Sequence, residues 1–357
     1  GSILSFKDGR FQVGPESAGA IPGPASYGKG GPLTVTDCNV LLGKLHPEHF
    51  PSVFGPNGND PLDVEVVRKK FTELSKYIAQ KTKKPQMDEI SMAEGFLKIA
   101  IENMANAIKK ISIQKGYDVT NYTMNCFGGA GGQHACHVAD SLGITNVLVH
   151  PYAGVLSAYG MGLAEIRSIR ERHFDKNLNQ INEANTLIDN LSLLAKEDLK
   201  KQDIKKSAIT LVKKAFLHYQ GSHQNLEVNF ESIKKMRQSF EQEHKKRFGF
   251  FVAERSIFIE MLTVEAIGNS SEHQDFSKAT SSPITAQPIS SKKMYVNTSE
   301  KSVPIYLRSE LKAEQKIFGP AIICEATGTN VVEQGWSGYL DKYQNLILSR
   351  VERKKIE

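Results

Sequence analysis

At 357 residues, 40% hydrophobic and 24% charged, with a formal net charge of +6, the chain has the composition of a globular protein with material for two or three cores. Its apolar runs stay short of the roughly 18 residues of a membrane span. Its lysines are interleaved with acids, as in Lys196-Glu-Asp-Leu-Lys-Lys201, so no membrane and no nucleic acid is expected as a partner.

Gly1 to Val13 reads as a hairpin, two β-prone runs around Asp8-Gly9, with no lead-in, so the chain is expected to start inside a fold. Residues 14–36 are rich in glycine and proline and can form neither a helix nor a central strand; a loop this long is either a surface connector or functional. The apolar run that follows makes Asp37 either the N-cap of a short helix over Asn39 to Leu42 or a carboxylate aimed into a cleft.

A loop from His46 to Pro61 leads to two amphipathic helices, Leu62 to Gln80 and Met87 to Lys115. In the second, Ile90, Ala93, Phe96, Leu97, Ala100, Met104, Ile108 and Ile111 recur at helical spacing. Tyr122 to Phe127 reads as a short buried strand, and it enters Cys126-Phe-Gly-Gly-Ala-Gly-Gly-Gln-His-Ala-Cys136. A helix leaves this bend with Ala135, Val138, Ala139 and Leu142 on one face and Gly143 as C-cap. Glycines clustered at a strand-to-helix turn mean that a ligand or another backbone comes where a Cβ would collide. The helix start suits an anion there, although the spacing matches neither the dinucleotide fingerprint nor a Walker loop. Zinc is a further reading of His134, Cys136 and His137, but positions i, i+2 and i+3 do not share one helical face.

Asn146 to His150 reads as a second strand, Tyr152 to Gly154 as a turn and Leu156 to Ile166 as a helix, which together give α/β organisation. Asn177 to Gln202 is a helix, Thr210 to Phe216 and Leu226 to Phe230 are strands, Ile233 to Phe248 is a helix and Ser256 to Ile267 a strand: a small α+β domain. Its His218, His223, Glu254 and Arg255 are either solvated or substrate-facing. Gly268 to Ser291 has a linker's composition. Short strands at 293–297, 303–307, 321–325, 330–333 and 346–348 complete a small all-β domain, with Trp336 either in its core or at an interface. Cys38, Cys126, Cys136 and Cys324 are scattered among apolar neighbours and read as reduced, buried thiols of a cytoplasmic protein.

The glycine bend and its continuation, Val147-Leu-Val-His-Pro-Tyr-Ala-Gly-Val-Leu-Ser-Ala-Tyr-Gly-Met-Gly-Leu-Ala164, resemble the hydantoinase A/oxoprolinase family, and the Gly-Gly-Gln-His form of the bend resembles its ATP-dependent oxoprolinase branch. Three further blocks agree, in the family's order: Gly14 to Asn39, His218-Tyr-Gln-Gly-Ser222, and Gly319-Pro-Ala-Ile-Ile-Cys-Glu-Ala-Thr-Gly-Thr329. Two departures are Ser26, where the family often has Cys, and Cys38, where it often has Ala, so neither is assigned as a nucleophile.

The resemblance implies the rear portion of an actin-like (ASKHA) ATPase fold, C-terminal part only, at 1–175, an α+β domain at 176–268 and a C-terminal β domain at 292–357. It implies an ATP-dependent cyclic-amide hydrolase acting on 5-oxoproline or a hydantoin, with ATP and Mg²⁺ as cofactors. Gly128, Gly129, Ala130 and Gly131 would line the adenosine pocket, and Asp37 would face the catalytic cleft. The family's Asp-x-Gly phosphate loops have no counterpart here, so metal ligands are assigned to no residue. The implied partners are an N-terminal half, a hydantoinase B-type subunit or a second copy of the chain. The alternative is a truncated, inactive remnant acting as a scaffold or partner-binding module.

Overall fold

The computed structural model describes residues 1–205, 208–268 and 285–351, and the chain divides into two units. Most of the expected 268–291 linker lies outside the described residues.

The first unit comprises 1–113, 117–157 and, among the described residues, 285–351. It opens with the expected hairpin, β1 (Ser2–Lys7) and β2 (Arg10–Ser17). The expected 14–36 loop is shorter, since β2 runs on to Ser17; residues 18–34 then deliver helix α1 (Val35–Leu41), which starts four residues earlier than the sequence suggested. Thr34, and not Asp37, is its N-cap; Asp37 occupies the third helical position and completes a capping box. Helices α2 (Val64–Thr82) and α3 (Glu89–Gln114) follow, the first capped by Asp63, whose side chain accepts from the Val66 amide. Phe71, Phe96, Met92 and Ala93 are buried where the apolar stripes of these helices meet the core.

β3 (Met124–Cys126) enters the glycine bend and α4 (Ala135–Leu142) leaves it, closed by Gly143 at φ +72°. β4 (Asn146–Val149) lies parallel to β3, as a strand–helix–strand crossover requires. After a turn comes α5 (Leu156–Leu163).

The C-terminal region is all-β, as expected. It contains β9 (Ser290–Val296), β10 (Ser299–Leu307), β11 (Ile317–Phe318), β12 (Ala321–Glu325), β13 (Gly328–Val332), β14 (Trp336–Leu340) and β15 (Leu346–Arg350). These strands are not a body of their own. β15 pairs antiparallel with β4, which makes one five-stranded sheet in the order β11-β14-β15-β4-β3. The other four strands form a second sheet, β13-β12-β10-β9. Leu346 and Leu348 of β15 and Val147 and Val149 of β4 bury the same face of the shared sheet, a seam that strand-by-strand periodicity cannot reveal. Trp336 is core: it is 1% exposed and its Nε1 donates to Asp140 Oδ2 at 3.3 Å.

The second unit, residues 158–268 among those described, together with 114–116, holds the α+β elements. Its antiparallel sheet runs β5-β8-β6-β7, from β5 (Ile166–Asn177), β6 (Ile209–Tyr219), β7 (Leu226–Asn229) and β8 (Ile257–Gly268). Helices α6 (Ile181–Lys200) and α7 (Ile233–Phe248) cover it, burying Ile188, Leu191, Met236 and Phe240. β5 was not expected as a strand. Its run Ile-Arg-Ser-Ile-Arg-Glu-Arg-His is too charged to read as apolar, yet it pairs along most of β8, so a division at 175 falls inside it. The His218 ring lies against Phe258, and its Nδ1 stands 3.0 Å from the Tyr219 carbonyl.

Candidate functional site

The glycines of the bend are required by close backbone approach. The Gly128 N–H donates to the Ala153 carbonyl at 2.8 Å, tying the bend to the turn after β4. The β12–β13 hairpin presses in from the other side. A Cβ on Gly129 would stand 2.9 Å from the Thr327 carbonyl oxygen, and one on Gly132 2.1 Å from Asn330 Oδ1 and 2.8 Å from the Thr329 carbonyl. Gly154 meets Thr327 in the same way, at 2.2 Å from its Oγ1. The hollow left among Cys126, Gly132, Val149, Glu325 and Asn330 is about 10 Å³, room for a single water.

The inside of the bend, packed by this chain's own hairpin, has room for about one water and not for an adenosine. Gly128, Gly129 and Ala130 are nevertheless exposed on the outer side, and Gly131 half-buried behind them. Any nucleotide contact made by these four residues belongs to that outer edge.

Asp37 faces no cleft. It is fully buried, and its Oδ1 accepts from the Ser26 amide at 2.8 Å. Its Oδ2 accepts from the Ala25 amide at 3.1 Å, the Thr34 amide at 2.7 Å and Thr34 Oγ1 at 2.9 Å. Three donors meet Oδ2 and one meets Oδ1, and the fully buried carboxylate has no solvent-facing edge. Its chemistry is that of a latch that pins the 14–36 loop to α1. Burial, with Asp37 a second cause, pushes the neighbouring Tyr27 hydroxyl and Cys38 thiol above their ordinary ranges.

Sequence reasoning missed a buried polar cluster beside the bend. Lys44, just beyond α1, reaches Glu333, between β13 and β14, at 2.5 Å, and His137 of α4 reaches the same Glu333 oxygen at 2.9 Å. Burial pushes the Glu333 carboxyl up, but Lys44 and His137 outweigh it and hold the group at about 2. Alongside, Asn39 Nδ2 donates to Gln133 Oε1 at 2.6 Å and lies 3.4 Å from His134 Nε2. Burial, reinforced by Lys44 and His137, brings His134 down to about 4, so its imidazole is neutral at pH 7. The available signal was a lone ionic residue within apolar sequence, Lys44 in Leu-Leu-Gly-Lys-Leu and Glu333 in Val-Val-Glu, since such a charge needs a buried partner.

The zinc reading fails on direction. His137 turns to Glu333, His134 to Asn39, and Cys136 donates to the Val331 carbonyl at 3.4 Å. Among the described residues, no group of three or more His, Cys, Asp or Glu side chains is arranged to hold a metal ion. Cys38, Cys126, Cys136 and Cys324 are all buried and unpaired. Burial raises the Cys126 and Cys324 thiols to about 11, so neither is a thiolate at neutral pH.

On the far side of the β12–β13 hairpin lies an open cleft of about 580 Å³. Pro151, Tyr152, Val155, Leu307, Ala326 and Thr327 are among the residues that line it. Of its charged residues, Arg308 donates through Nη1 to Glu325 at 2.8 Å and through Nη2 to the carbonyls of Val149 and Gln344 at 2.8 and 2.9 Å; His49 lines the cleft as well.

Two family models cover residues 1–351, hydantoinase/oxoprolinase over residues 1–170 and its C-terminal domain over 171–351. The chain belongs to the hydantoinase/oxoprolinase family. A 5-oxoprolinase of Dictyostelium discoideum is 36% identical over 350 residues, 93% of this chain but 27% of that protein. The crystal structure of an ATP-dependent caprolactamase from Pseudomonas jessenii superposes with a TM-score of 0.83 at 25% identity, over 99% of this chain and 52% of that one. A nucleotide-free acetone carboxylase matches with a TM-score of 0.74 at 20% identity, which speaks to fold alone, over 98% of this chain and 51% of that one. The chain thus spans about a quarter of the first curated relative, and it corresponds to a C-terminal piece of a longer hydantoinase/oxoprolinase architecture. Among the described residues, no helix is long and apolar enough to cross a membrane.

Proposed function

We propose that this hydantoinase/oxoprolinase chain is part of an ATP-dependent cyclic-amide hydrolase that opens 5-oxoproline or a hydantoin. The observation that carries the reading is the unbroken family match over 1–351, with oxoprolinase and caprolactamase among the relatives. A lactam resists hydrolysis because its nitrogen is a poor leaving group. ATP supplies the drive: the amide oxygen takes the γ-phosphoryl group and ADP departs, water adds to the activated carbon, and the C–N bond breaks as the nitrogen takes up a proton and phosphate is released.

On this reading the first unit is the rear portion of an actin-like ATPase fold, and the outer edge of Gly128, Gly129, Ala130 and Gly131 borders the nucleotide. The exposure of that edge supports it. Mg²⁺ ligands and the remaining phosphate contacts come from an N-terminal half or a hydantoinase B-type subunit, and the reaction runs in the cytoplasm.

A second reading, an inactive remnant that serves as a scaffold, draws on the buried, backbone-bound Asp37 carboxylate and the closed interior of the bend. Calorimetric titration with Mg-ATP separates the two. For an incomplete enzyme, binding is weaker than about millimolar for the chain alone and tightens on co-expression with an N-terminal half. Oxoproline-dependent ATP hydrolysis then appears in the pair. No gain in affinity or turnover on completion leaves the scaffold.

A further inference from the structure

We propose that the basic last turn of α7 and the loop after it, residues 245–255, form the docking surface for a hydantoinase B-type subunit, which meets them with an acidic rim around an apolar socket. The inference rests on the partner reading above and adds where, and by what chemistry, that partner is held.

Lys245, Lys246 and Arg247 close α7, all three exposed, and Gly249 at φ +86° turns the chain. Phe250, Phe251 and Val252 follow at 56%, 43% and 37% exposure. Single exposed apolar residues are ordinary, whereas a contiguous apolar group rimmed by charge marks an interaction site. The loop is also fixed from behind. His244 Nδ1 stands 2.7 Å from the Phe250 carbonyl, and its ring packs among Tyr219, Phe240, Phe248 and Phe250 at centroid distances of 4.6 to 5.7 Å. The Val252 N–H donates to the Tyr219 hydroxyl at 2.9 Å, and the Gln220 N–H to the Ser256 carbonyl at 2.9 Å. Two residues of the His218–Ser222 block thus hold this loop.

A loop held in advance loses little freedom when a partner covers it, and aromatic anchors at set positions are what a socketed protein interface uses. A fluid bilayer makes no demand for such fixing. From 243 to 255 the exposed charges are Lys245, Lys246, Arg247 and Arg255 against Glu243 and Glu254. Exposed Lys115 adds to the excess, since its neighbour Gly116 lies against the Lys246 carbonyl, 3.2 Å from where a Cβ would stand. That excess selects an acidic counterpart, and it opposes a second copy of this chain seated tip to tip, where like charges would meet. The tip belongs to the second unit and to the family's C-terminal domain, while residue 1, which an N-terminal half would adjoin, belongs to the first. A separate subunit is therefore the occupant assigned.

Biolayer interferometry of the full chain against a separately expressed hydantoinase B-type subunit tests the assignment. The wild-type chain is expected to bind, and less tightly as salt rises. Phe251→Ser with Val252→Ser, and Lys245→Glu with Arg247→Glu, each lower the affinity at least tenfold at an unchanged melting temperature. The salt dependence persists in the first double variant and is largely lost in the second. Unchanged affinity in both, or no binding by the wild-type chain, overturns the docking assignment; the hydrolase reading is decided separately, by oxoproline-dependent ATP hydrolysis on completion with an N-terminal half. The same variants are tested against an N-terminal half, against vesicles of phosphatidylserine and phosphatidylcholine, and for self-association by sedimentation. Loss of any of these with affinity for the B-type subunit intact gives the surface to another occupant and likewise overturns the assignment.

Discussion

Lys44 Nζ stands 2.5 Å from Glu333 Oε1, with both side chains nearly sealed from solvent and 289 residues apart in sequence. The pair joins the segment after α1 to the β13–β14 turn, and His137 adds α4 to the same carboxylate. Removing one partner of a buried pair strands the other charge, which costs about 3–5 kcal/mol. Glu333→Gln is expected to destabilise the protein by about that much, and Lys44→Met to do likewise. The double variant should recover a large part of the loss, because no uncompensated ion remains. Urea unfolding of the three variants checks this; additive losses would contradict the coupling.

The same cluster sets a pH dependence. The Glu333 carboxyl lies at about 2 in the folded chain against an ordinary 4.5, so its contribution is complete above 4.5 and lost as pH falls toward 2. His134 lies at about 4 against 6.5, held neutral by burial; the unfolded chain takes up its proton first, so this contribution is present above 6.5 and fades as pH falls toward 4. Stability is thus expected to decline first between pH 6.5 and 4 and more steeply below 4.5. In His134→Gln the upper part of that decline should flatten while the lower part remains. Melting curves across pH 4 to 7.5 would show an unchanged profile in the variant if the assignment of His134 were wrong.

What could be read from the sequence followed from how locally each feature is determined. The α2 and α3 stripes, the β1–β2 hairpin, Gly143 as a C-cap and the crowding at the glycine bend are each set by residues within a few positions, and all are present. What crowds the bend was not legible. Its occupant comes from Thr327 to Asn330, some two hundred residues downstream, and a Cβ-free turn looks the same whether a ligand or a hairpin enters it. The surroundings of the Asp37 carboxylate were not legible for a related reason: whether an acid at the start of a helix looks outward or inward depends on where the preceding loop folds back, and here Ala25 and Ser26 close over it. β5 was hidden because Ser168 alone of its residues is buried and charged residues occupy both of its faces, so no apolar alternation marks it.

The latch role of Asp37 predicts a stability defect and no specific catalytic one. Asp37→Asn keeps the shape but replaces an acceptor that serves four donors with a group that has one acceptor oxygen and brings two donors of its own. Buried donors left unsatisfied cost about 1–3 kcal/mol each, so a loss of several kcal/mol is expected, with the 14–36 loop becoming the first segment cut by protease. If Asp37→Asn were instead fully stable, and abolished ATP hydrolysis in the completed enzyme, the carboxylate would have to be reassigned to the reaction.

The packing of the β12–β13 hairpin into the bend makes Gly132 the least replaceable of its glycines. A Cβ there would lie 2.1 Å from Asn330 Oδ1 and 2.8 Å from the Thr329 carbonyl, so the hairpin itself must retreat. Overpacking of this kind generally costs about 1–3 kcal/mol. Gly128 has open space where a Cβ would go, yet its φ of +90° strains any other residue, at a cost of order 1–3 kcal/mol for a backbone held in a sparsely populated region. The two costs differ in kind. Asn330→Gly in the Gly132→Ala background clears the side-chain half of the collision and should restore part of the stability, whereas it should do nothing for Gly128→Ala. Denaturation midpoints of the four variants decide it: if Asn330→Gly gave no rescue of Gly132→Ala, the close approach of Asn330 to the bend would not be the constraint on that glycine.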